Sequence, residues 1–147
     1  MDVACCFGLG NVPEIDAFIL PWGGELFMSS DRSLLLNLRS KEGMSLPSVL
    51  PVTLSKAQWL SLEVYLGQGK VIIQPNNRSS NALKYWWQQY KVPFWFRQKQ
   101  PLLSCENKLI LVPGLVDCGV GLGQKNLGET RWIGWWPYSL GSVVTAD

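Results

Sequence analysis

The chain has 147 residues, of which 47% are hydrophobic and only 16% charged, and its formal net charge is +2 at pH 7. This length predicts one domain with a sizeable core, and the composition excludes an intrinsically disordered chain, since disorder goes with low hydrophobicity and high net charge. No apolar run approaches the roughly 18 residues of a membrane span, and no early Lys or Arg marks a signal peptide. We therefore expect a cytoplasmic protein without a membrane partner.

The cysteines and the absence of histidine restrict the possible chemistry. Cys5, Cys6, Cys105 and Cys118 form no Cys-x-x-Cys pair, so their spacing does not fit the usual zinc sites, and we expect free, partly buried thiols. Without His there is no Ser-His-Asp or Cys-His site, and the eleven acidic residues are too dispersed to indicate a carboxylate pair. The sequence therefore predicts no catalytic residue and no metal ligand.

Basic residues concentrate between positions 70 and 108. This block has a net charge of +6, with seven Lys and Arg against one acid, whereas the rest of the chain has a net charge of −4. A basic block in a mildly acidic chain is typical of a face that binds phosphates. The alternative is a solvated surface of scattered cations. The basic residues are Lys70, Arg78, Lys84, Lys91, Arg97, Lys99 and Lys108.

The first half of the chain is predicted to form short strands. Residues 1–17 have no clear period, which indicates a loose lead-in, and a loop is predicted over 40–51. A turn over 21–24 joins the first two strands, and Gly67-Gln68-Gly69 joins the last two as a hairpin. Apolar runs and alternation predict these strands over 17–20, 26–28, 33–38, 60–66 and 71–73.

One amphipathic helix is predicted over residues 81–90. Its apolar residues recur at i, i+3, i+4 and i+7 and form a single stripe, on which we expect Trp86 and Trp87 to belong to the core. Ser79 or Ser80 is the predicted N-cap, and Pro93 ends the helix. The stripe comprises Leu83, Trp86, Trp87 and Tyr90.

The last third of the chain returns to strands. Strands are predicted over 108–112, 115–120 and 132–136, followed by a flexible tail over 138–147. The glycines from Gly119 to Gly123 lack the spacing of a phosphate-binding loop and indicate a flexible hairpin. Many short strands and one helix predict an α+β fold, a mainly-β sandwich.

Aromatic and cationic residues alternate between Leu83 and Leu103. In RNA recognition, cations contact phosphates and aromatic rings stack on unpaired bases. The alternative is that the aromatic residues form core and only the cations face solvent. The candidate RNA-binding residues are Arg78, Lys84, Lys91, Trp95, Arg97 and Lys99.

The same stretch carries a family resemblance. Its matching residues are Leu83-Lys84, Gln88, Val92-Pro93, Trp95, Arg97 and Pro101-Leu102-Leu103. They resemble the signature of the C-terminal domain of bacterial tRNA(Ile)-lysidine synthetase. Weaker similarity to that domain extends over residues 18–137, from a Leu-Pro, Gly-Gly-rich first strand to the Gly/Trp-rich last strand at 134–136.

The resemblance implies a domain that holds tRNA and does not make bonds. The family joins lysine to the C2 of a wobble cytidine after ATP has adenylated the base, and the ATP site lies in an N-terminal pyrophosphatase (PP-loop) domain with the motif Ser-Gly-Gly-x-Asp-Ser. This motif is absent here, so no cofactor is expected in this chain, and ATP and Mg would act only through a separate PP-loop catalytic polypeptide. The implied partners are tRNA and that polypeptide, with a homodimer as a further option.

The chain departs from the family at several positions, which leaves three interpretations open. Phe94 stands at the family's second proline, Gln89 at its Glu, and Tyr65 and Leu66 where cations are frequent. The first interpretation is a tRNA-contacting module, a fragment or split-gene product without its own catalytic site. The second is an inactive structural or interaction remnant. The third is a general single-stranded nucleic-acid binder whose aromatic residues at 94–96 stack on bases.

Overall fold

The computed structural model describes residues 15–41, 48–118 and 128–138. The described residues form antiparallel sheets with short helices between them, which confirms the predicted α+β, mainly-β class. The strands are β1 (Asp16–Ile19), β2 (Glu25–Ser29), β3 (Leu50–Leu54), β4 (Glu63–Leu66), β5 (Ile72–Ile73), β6 (Asn81–Ala82), β7 (Pro101–Cys105), β8 (Lys108–Val112), β9 (Val116–Asp117) and β10 (Glu129–Trp136). The helices are α1 (Arg32–Lys41), α2 (Lys56–Leu60), α3 (Leu83–Gln89) and α4 (Phe94–Arg97).

Two four-stranded sheets form the sandwich. Sheet one has the order β1-β2-β10-β3, and sheet two has the order β4-β7-β8-β9. The long strand β10 organises sheet one, because Ile133 lies opposite Met28 of β2 on one side and Leu50 of β3 on the other. A main core that contains Leu26, Met28, Leu103 and Leu111 fills the space between the sheets.

Each sheet is covered on its outer face as well. Phe27 of β2 packs against Leu35 of α1 on the outer side of sheet one, while Leu102 of β7 packs against Leu83 and Trp86 of α3 on the outer side of sheet two. Because both faces are covered, β2 and β7 are buried along their whole length. A strand buried on both faces is an uninterrupted apolar run instead of an alternating one, as Pro101-Leu102-Leu103 illustrates.

Several predicted elements are confirmed. The turn over 21–24 joins β1 and β2 as neighbours, and the strands predicted over 108–112 and 115–120 are β8 and β9, which pair with each other. The strand predicted over 132–136 is the second half of β10, and the predicted helix is α3 with narrower bounds. The glycine-rich run over 119–123, most of the lead-in and all but the first residue of the tail lie outside the described residues.

The strand predicted over 33–38 is wrong, since this segment belongs to α1. The Asp31 carboxylate accepts hydrogen bonds from the Ser33 backbone N–H at 2.9 Å and from the Ser33 hydroxyl at 2.6 Å. These bonds satisfy a free donor of the first helical turn and lower the pKa of Asp31. The apolar run therefore forms a helix, from which Leu35 is buried against sheet one.

The predicted hairpin between 60–66 and 71–73 is also wrong. Strand β4 pairs with β7, with Tyr65 opposite Leu102, and β5 pairs with β6. The Gly67 N–H donates to the Gln100 carbonyl at 2.8 Å, which carries the chain away from a tight turn. A Cβ at Gly67 would lie 2.8 Å from the Leu83 side chain, so this close approach requires glycine.

The turn between β1 and β2 gives a stability prediction. Gly24 has φ +93, and a Cβ there would lie 2.9 Å from the Trp136 carbonyl oxygen, whereas a Cβ at Gly69 would make ordinary contacts at 3.5 Å. We expect Gly24→Ala to lower the free energy of unfolding by about 1–3 kcal/mol because of backbone strain, and Gly69→Ala to change it little. Urea unfolding of both variants measures the difference, and equal midpoints would contradict this account of the turn.

Candidate nucleic-acid interface

Helix α3 determines which residues of the basic block face solvent. Leu83, Trp86 and Trp87 are 0%, 2% and 7% exposed and attach the helix to the outer face of sheet two. This confirms that both tryptophans belong to the core. Lys84 and Gln88, one helical turn apart, are exposed. Because one side of α3 is fixed in the core, the opposite side presents Lys84 and Gln88 to solvent.

The start of α3 is held by the preceding loop and not by a serine cap. The Leu83 N–H donates to the Val71 carbonyl at 2.7 Å, and the Lys84 N–H donates to the Gly69 carbonyl at 2.9 Å. Because backbone carbonyls take these donors, the N-cap is Ala82 without a side-chain bond, and the predicted Ser79 or Ser80 cap is wrong. The loop brings Lys70 to the same end of the helix as Lys84.

Lys91 occupies the turn that ends α3. The Val92 N–H donates to the Trp87 carbonyl at 2.9 Å and the Lys91 N–H donates to the Gln88 carbonyl at 3.2 Å, which together form a Schellman motif. Lys91 accordingly has φ 52, in the left-handed region that favours glycine. Val92 then packs in the same apolar cluster as Trp87. The fixed turn projects an exposed lysine side chain.

Arg97 fastens the connection between α3 and α4. Its Nε–H donates to the Val92 carbonyl at 2.9 Å, and its guanidinium carbon lies 5.9 Å from the centre of the Trp87 ring. The side chain is half-buried. One edge of the guanidinium thus holds the chain segment next to Lys91, which makes Arg97 a positioning residue.

Arg78 lies on the other side of the helix. Its guanidinium carbon is 4.5 Å from the centre of the Trp86 ring, and it donates a hydrogen bond to the Tyr90 hydroxyl. Tyr90, which was predicted to lie on the apolar stripe, is 43% exposed. The ring stacks on Trp86 at 6.4 Å and extends the apolar stripe to the surface.

Helix α4 divides its aromatic residues between solvent and core. Phe94 and Trp95 are 66% and 59% exposed. Phe96 instead contacts Trp135 and Trp136 edge-on, with ring centres 5.9 and 5.8 Å apart. Trp95 is therefore available at the surface, as the RNA-binding prediction requires, whereas Phe96 faces inward.

Lys99 lies at the β1–β2 turn. Its ammonium nitrogen is 4.8 Å from the centre of the Tyr138 ring, and its backbone carbonyl accepts a hydrogen bond from the Trp22 indole N–H at 3.1 Å. A Cβ at Gly23 would lie 3.4 Å from the Lys99 ammonium. These contacts attach Lys99 to sheet one.

The structure thus divides the predicted site into separate groups. Arg78 lies beside Trp86 and Lys99 lies at the β1–β2 turn, so neither shares the ring of Trp87. Lys70, a member of the basic block that was not among the six candidates, also has its backbone near Trp87, because a Cβ on its neighbour Gly69 would lie 3.5 Å from the Trp87 ring. We call the cations around Trp87 the Trp87 flank; it consists of Lys70, Lys84, Lys91 and Arg97.

Comparison with known families identifies the segment that carries these groups. The model of the family described as the TilS substrate C-terminal domain matches residues 61–135, just over half of the chain. The chain belongs to this family. TilS is tRNA(Ile)-lysidine synthetase, so the resemblance carried by residues 83–103 is confirmed. No curated protein and no solved structure matches the sequence.

The TilS match covers sheet two, α3, α4 and most of β10. It includes all six candidate RNA-binding residues and Lys70. Residues 18–60, which the sequence resemblance also assigned to the domain, precede the matched segment although β1, β2 and β3 complete the same sandwich. No helix in the described parts of the chain has the length and apolar character of a membrane span.

The described cysteines of this TilS domain are buried thiols. Cys105 and Cys118 are free and are 0% and 6% exposed, whereas Cys5 and Cys6 lie outside the described residues. Burial raises the pKa of the Cys118 thiol to about 11, with a further contribution from the charge of Asp117. No group of three potential metal ligands occurs within residues 15–41, 48–118 and 128–138.

Thiol labelling tests this account of Cys118. In a Cys5→Ser, Cys6→Ser background, we expect little reaction with a disulfide reagent at pH 8, because the thiolate is the reactive form and the thiol is buried. Reaction should increase as the pH approaches 11, and unfolding should release both thiols at once. Adding Cys118→Ser should remove half of the signal in denaturant. Rapid labelling of the folded chain at pH 8 would contradict the burial.

Glycine substitution tests Lys84 in α3 and Lys91 in the turn that ends it. Lys91→Gly should raise the free energy of unfolding by ~1 kcal/mol, because glycine adopts the left-handed conformation without strain. Lys84→Gly removes the same charge from the helix itself and should lower the free energy of unfolding by about 0.5–1 kcal/mol. Denaturant unfolding of both variants provides the comparison. A loss of stability in Lys91→Gly would refute the Schellman turn.

Proposed function

We propose that this chain is the tRNA-contacting C-terminal part of a tRNA(Ile)-lysidine synthetase. The observation that carries the proposal is the Trp87 flank, which lies inside the segment matched by the TilS substrate C-terminal domain. Its lysines are exposed on backbone that is held by the core. Cations on a fixed backbone are suited to phosphates at fixed spacing, as in the backbone of a folded RNA.

The charge of this flank is available for an external anion. Arg131 pairs with Glu129 at 2.7 Å, away from α3, and among the described residues no carboxylate pairs with Lys84, Lys91 or Arg97. Cations without a carboxylate partner are free to exchange their counterions for phosphates. We assign direct phosphate contacts to Lys84 and Lys91, and to Arg97 the positioning of the turn beside them.

The covalent step belongs to a different unit in this proposal. Adenylation of the cytidine and transfer of lysine need the Ser-Gly-Gly-x-Asp-Ser ATP site, which this sequence does not contain. ATP and Mg would accordingly act on a PP-loop catalytic polypeptide while this domain holds the tRNA. The contribution of the present residues is binding and orientation, which place the reacting base without touching it.

A second candidate function rests on the two exposed aromatic side chains of α4. Phe94 and Trp95 are 66% and 59% exposed, and exposed rings form stacking platforms for single-stranded nucleic acids of any sequence. This function differs from the first in its ligand, since a folded tRNA would have no advantage over an unstructured polynucleotide.

Salt-dependent tRNA binding tests the proposal. Each phosphate contact contributes about 0.7–0.9 to the slope of log affinity against log salt concentration. We therefore expect Lys84→Ala to weaken tRNA binding and to reduce that slope by about this amount, and Lys91→Gly to add a similar reduction. Lys56→Ala is the matched control, because Lys56 is an exposed lysine in the first turn of α2. Gel-shift titrations at several salt concentrations give the slopes.

Three outcomes separate the interpretations. If Lys56→Ala changes the slope as much as Lys84→Ala, binding is non-specific and the Trp87 flank is not the site. If polyuridine binds as tightly as tRNA and Trp95→Ala weakens both, the single-strand function is correct. If no salt-sensitive binding occurs with or without a PP-loop polypeptide, the chain does not contact tRNA.

A further inference from the structure

We propose that a cleft beside the Trp87 flank binds one unpaired nucleotide of the RNA. The cleft lies between the α3–α4 connection and the end of β10, and its volume is about 410 Å³, which falls within the range of sites for small molecules. Tyr90, Lys91, Phe96, Trp135 and Trp136 are among its lining residues. We call it the aromatic cleft. This inference rests on the proposed function, because it names what the same RNA would insert there.

The walls of the aromatic cleft are suited to a flat ring. Phe96 contacts Trp135 and Trp136 edge-on, an arrangement that fixes the ring planes against one another. Tyr90 is 43% exposed although it extends the apolar stripe of α3. Aromatic side chains of this kind stack on bases irrespective of sequence.

The polar groups of the aromatic cleft are those that a nucleotide would satisfy. The Trp135 indole N–H is buried and has no hydrogen-bond partner among the described residues. A buried donor without a partner is unfavourable by about 1–3 kcal/mol and calls for an acceptor. Nucleobases combine ring-nitrogen and carbonyl acceptors with a flat apolar face. Lys91 supplies a cation for the attached phosphate.

No nearby protein group in the described parts of the chain accepts a hydrogen bond from the Trp135 indole N–H. Gln100, which also lines the aromatic cleft, donates from its amide nitrogen to the Pro101 and Pro113 carbonyls, both at 3.0 Å, and accepts from the Trp87 indole N–H at 3.3 Å. Its hydrogen bonds are therefore committed. No described protein group accepts from the buried Trp135 N–H, and a base that enters the cleft beside Trp135 would supply an acceptor.

The occupant must be unpaired. Bases within a duplex are stacked and paired, whereas bases at ends, bulges and loops are free to insert between aromatic side chains. Lys91 belongs to both the Trp87 flank and the aromatic cleft, so an RNA helix held on the flank would bring a single-stranded end to the cleft. We therefore assign the cleft to a nucleotide that extends beyond a helical end.

The test compares RNA hairpins that differ only at the end of the stem. A hairpin with a four-nucleotide single-stranded 3′ or 5′ end should bind about tenfold more tightly than the blunt hairpin, the effect of roughly one base stacked on an aromatic ring. Tyr90→Leu and Trp136→Leu should abolish this gain and retain blunt-hairpin binding. Tyr65→Leu, which removes an exposed ring from β4, should keep the gain.

The outcomes distinguish this inference from the proposed function. Salt-sensitive binding of the blunt hairpin with no gain from either overhang overturns the aromatic cleft and leaves the Trp87 flank intact. No binding of any hairpin overturns both. Persistence of the gain in both cleft variants also refutes the cleft.

A second measurement reports ligand binding by the wild-type chain directly. Nucleoside 5′-monophosphates added to the wild-type chain should shift the indole N–H resonance of Trp135, assigned with Trp135→Phe, because the base supplies the missing acceptor. Ribose 5-phosphate, which carries the same phosphate without a base, should leave that resonance unchanged. Equal shifts from both compounds, or no shift from any nucleotide, would overturn the inference.

Discussion

The candidate site depends on the burial of Trp87. Its ring is 7% exposed in the cluster that joins α3 to sheet two, and its indole N–H donates to the buried Gln100 side chain at 3.3 Å. Its carbonyl accepts the hydrogen bond that closes the Schellman turn, and Arg97 lies over its ring. Trp87 therefore connects the core to the backbone positions of Lys84, Lys91 and Arg97. The packing of sheet two thus determines where these cations lie.

The same packing explains which features the sequence could predict. The stripe spacing placed Trp86 and Trp87 in the core because helical periodicity reports the buried face directly. The sequence predicts a strand where helix α1 forms because the apolar run is short, although Asp31 before it is an N-cap signal. Helix α2 was not predicted, although Ser55 and Gln58 form its capping box, a local pattern that is visible in the sequence.

The pairing of strands and the grouping of cations needed the three-dimensional fold. Glycines at 67 and 69 resemble a hairpin turn, but Gly67 is required by its contact with Leu83, a long-range constraint that no local pattern contains. The basic block predicted a binding face that includes both Arg78 and Arg97, and no pattern in the sequence separates them. Those two residues lie 19 positions apart on the chain and face different tryptophans.

Two positions at which the sequence departs from the family resemblance lie on an exposed edge of sheet two. Tyr65 and Leu66 are 40% and 37% exposed on β4, an edge strand of sheet two. Cations, which the resemblance implies at these positions, would lie at the surface, so their absence leaves the core undisturbed. The lysines that remain in the candidate site occupy backbone positions that are fixed by the packing of Trp87, the residue that also attaches α3 to sheet two. The core therefore determines where these side chains start, although it does not require their charges.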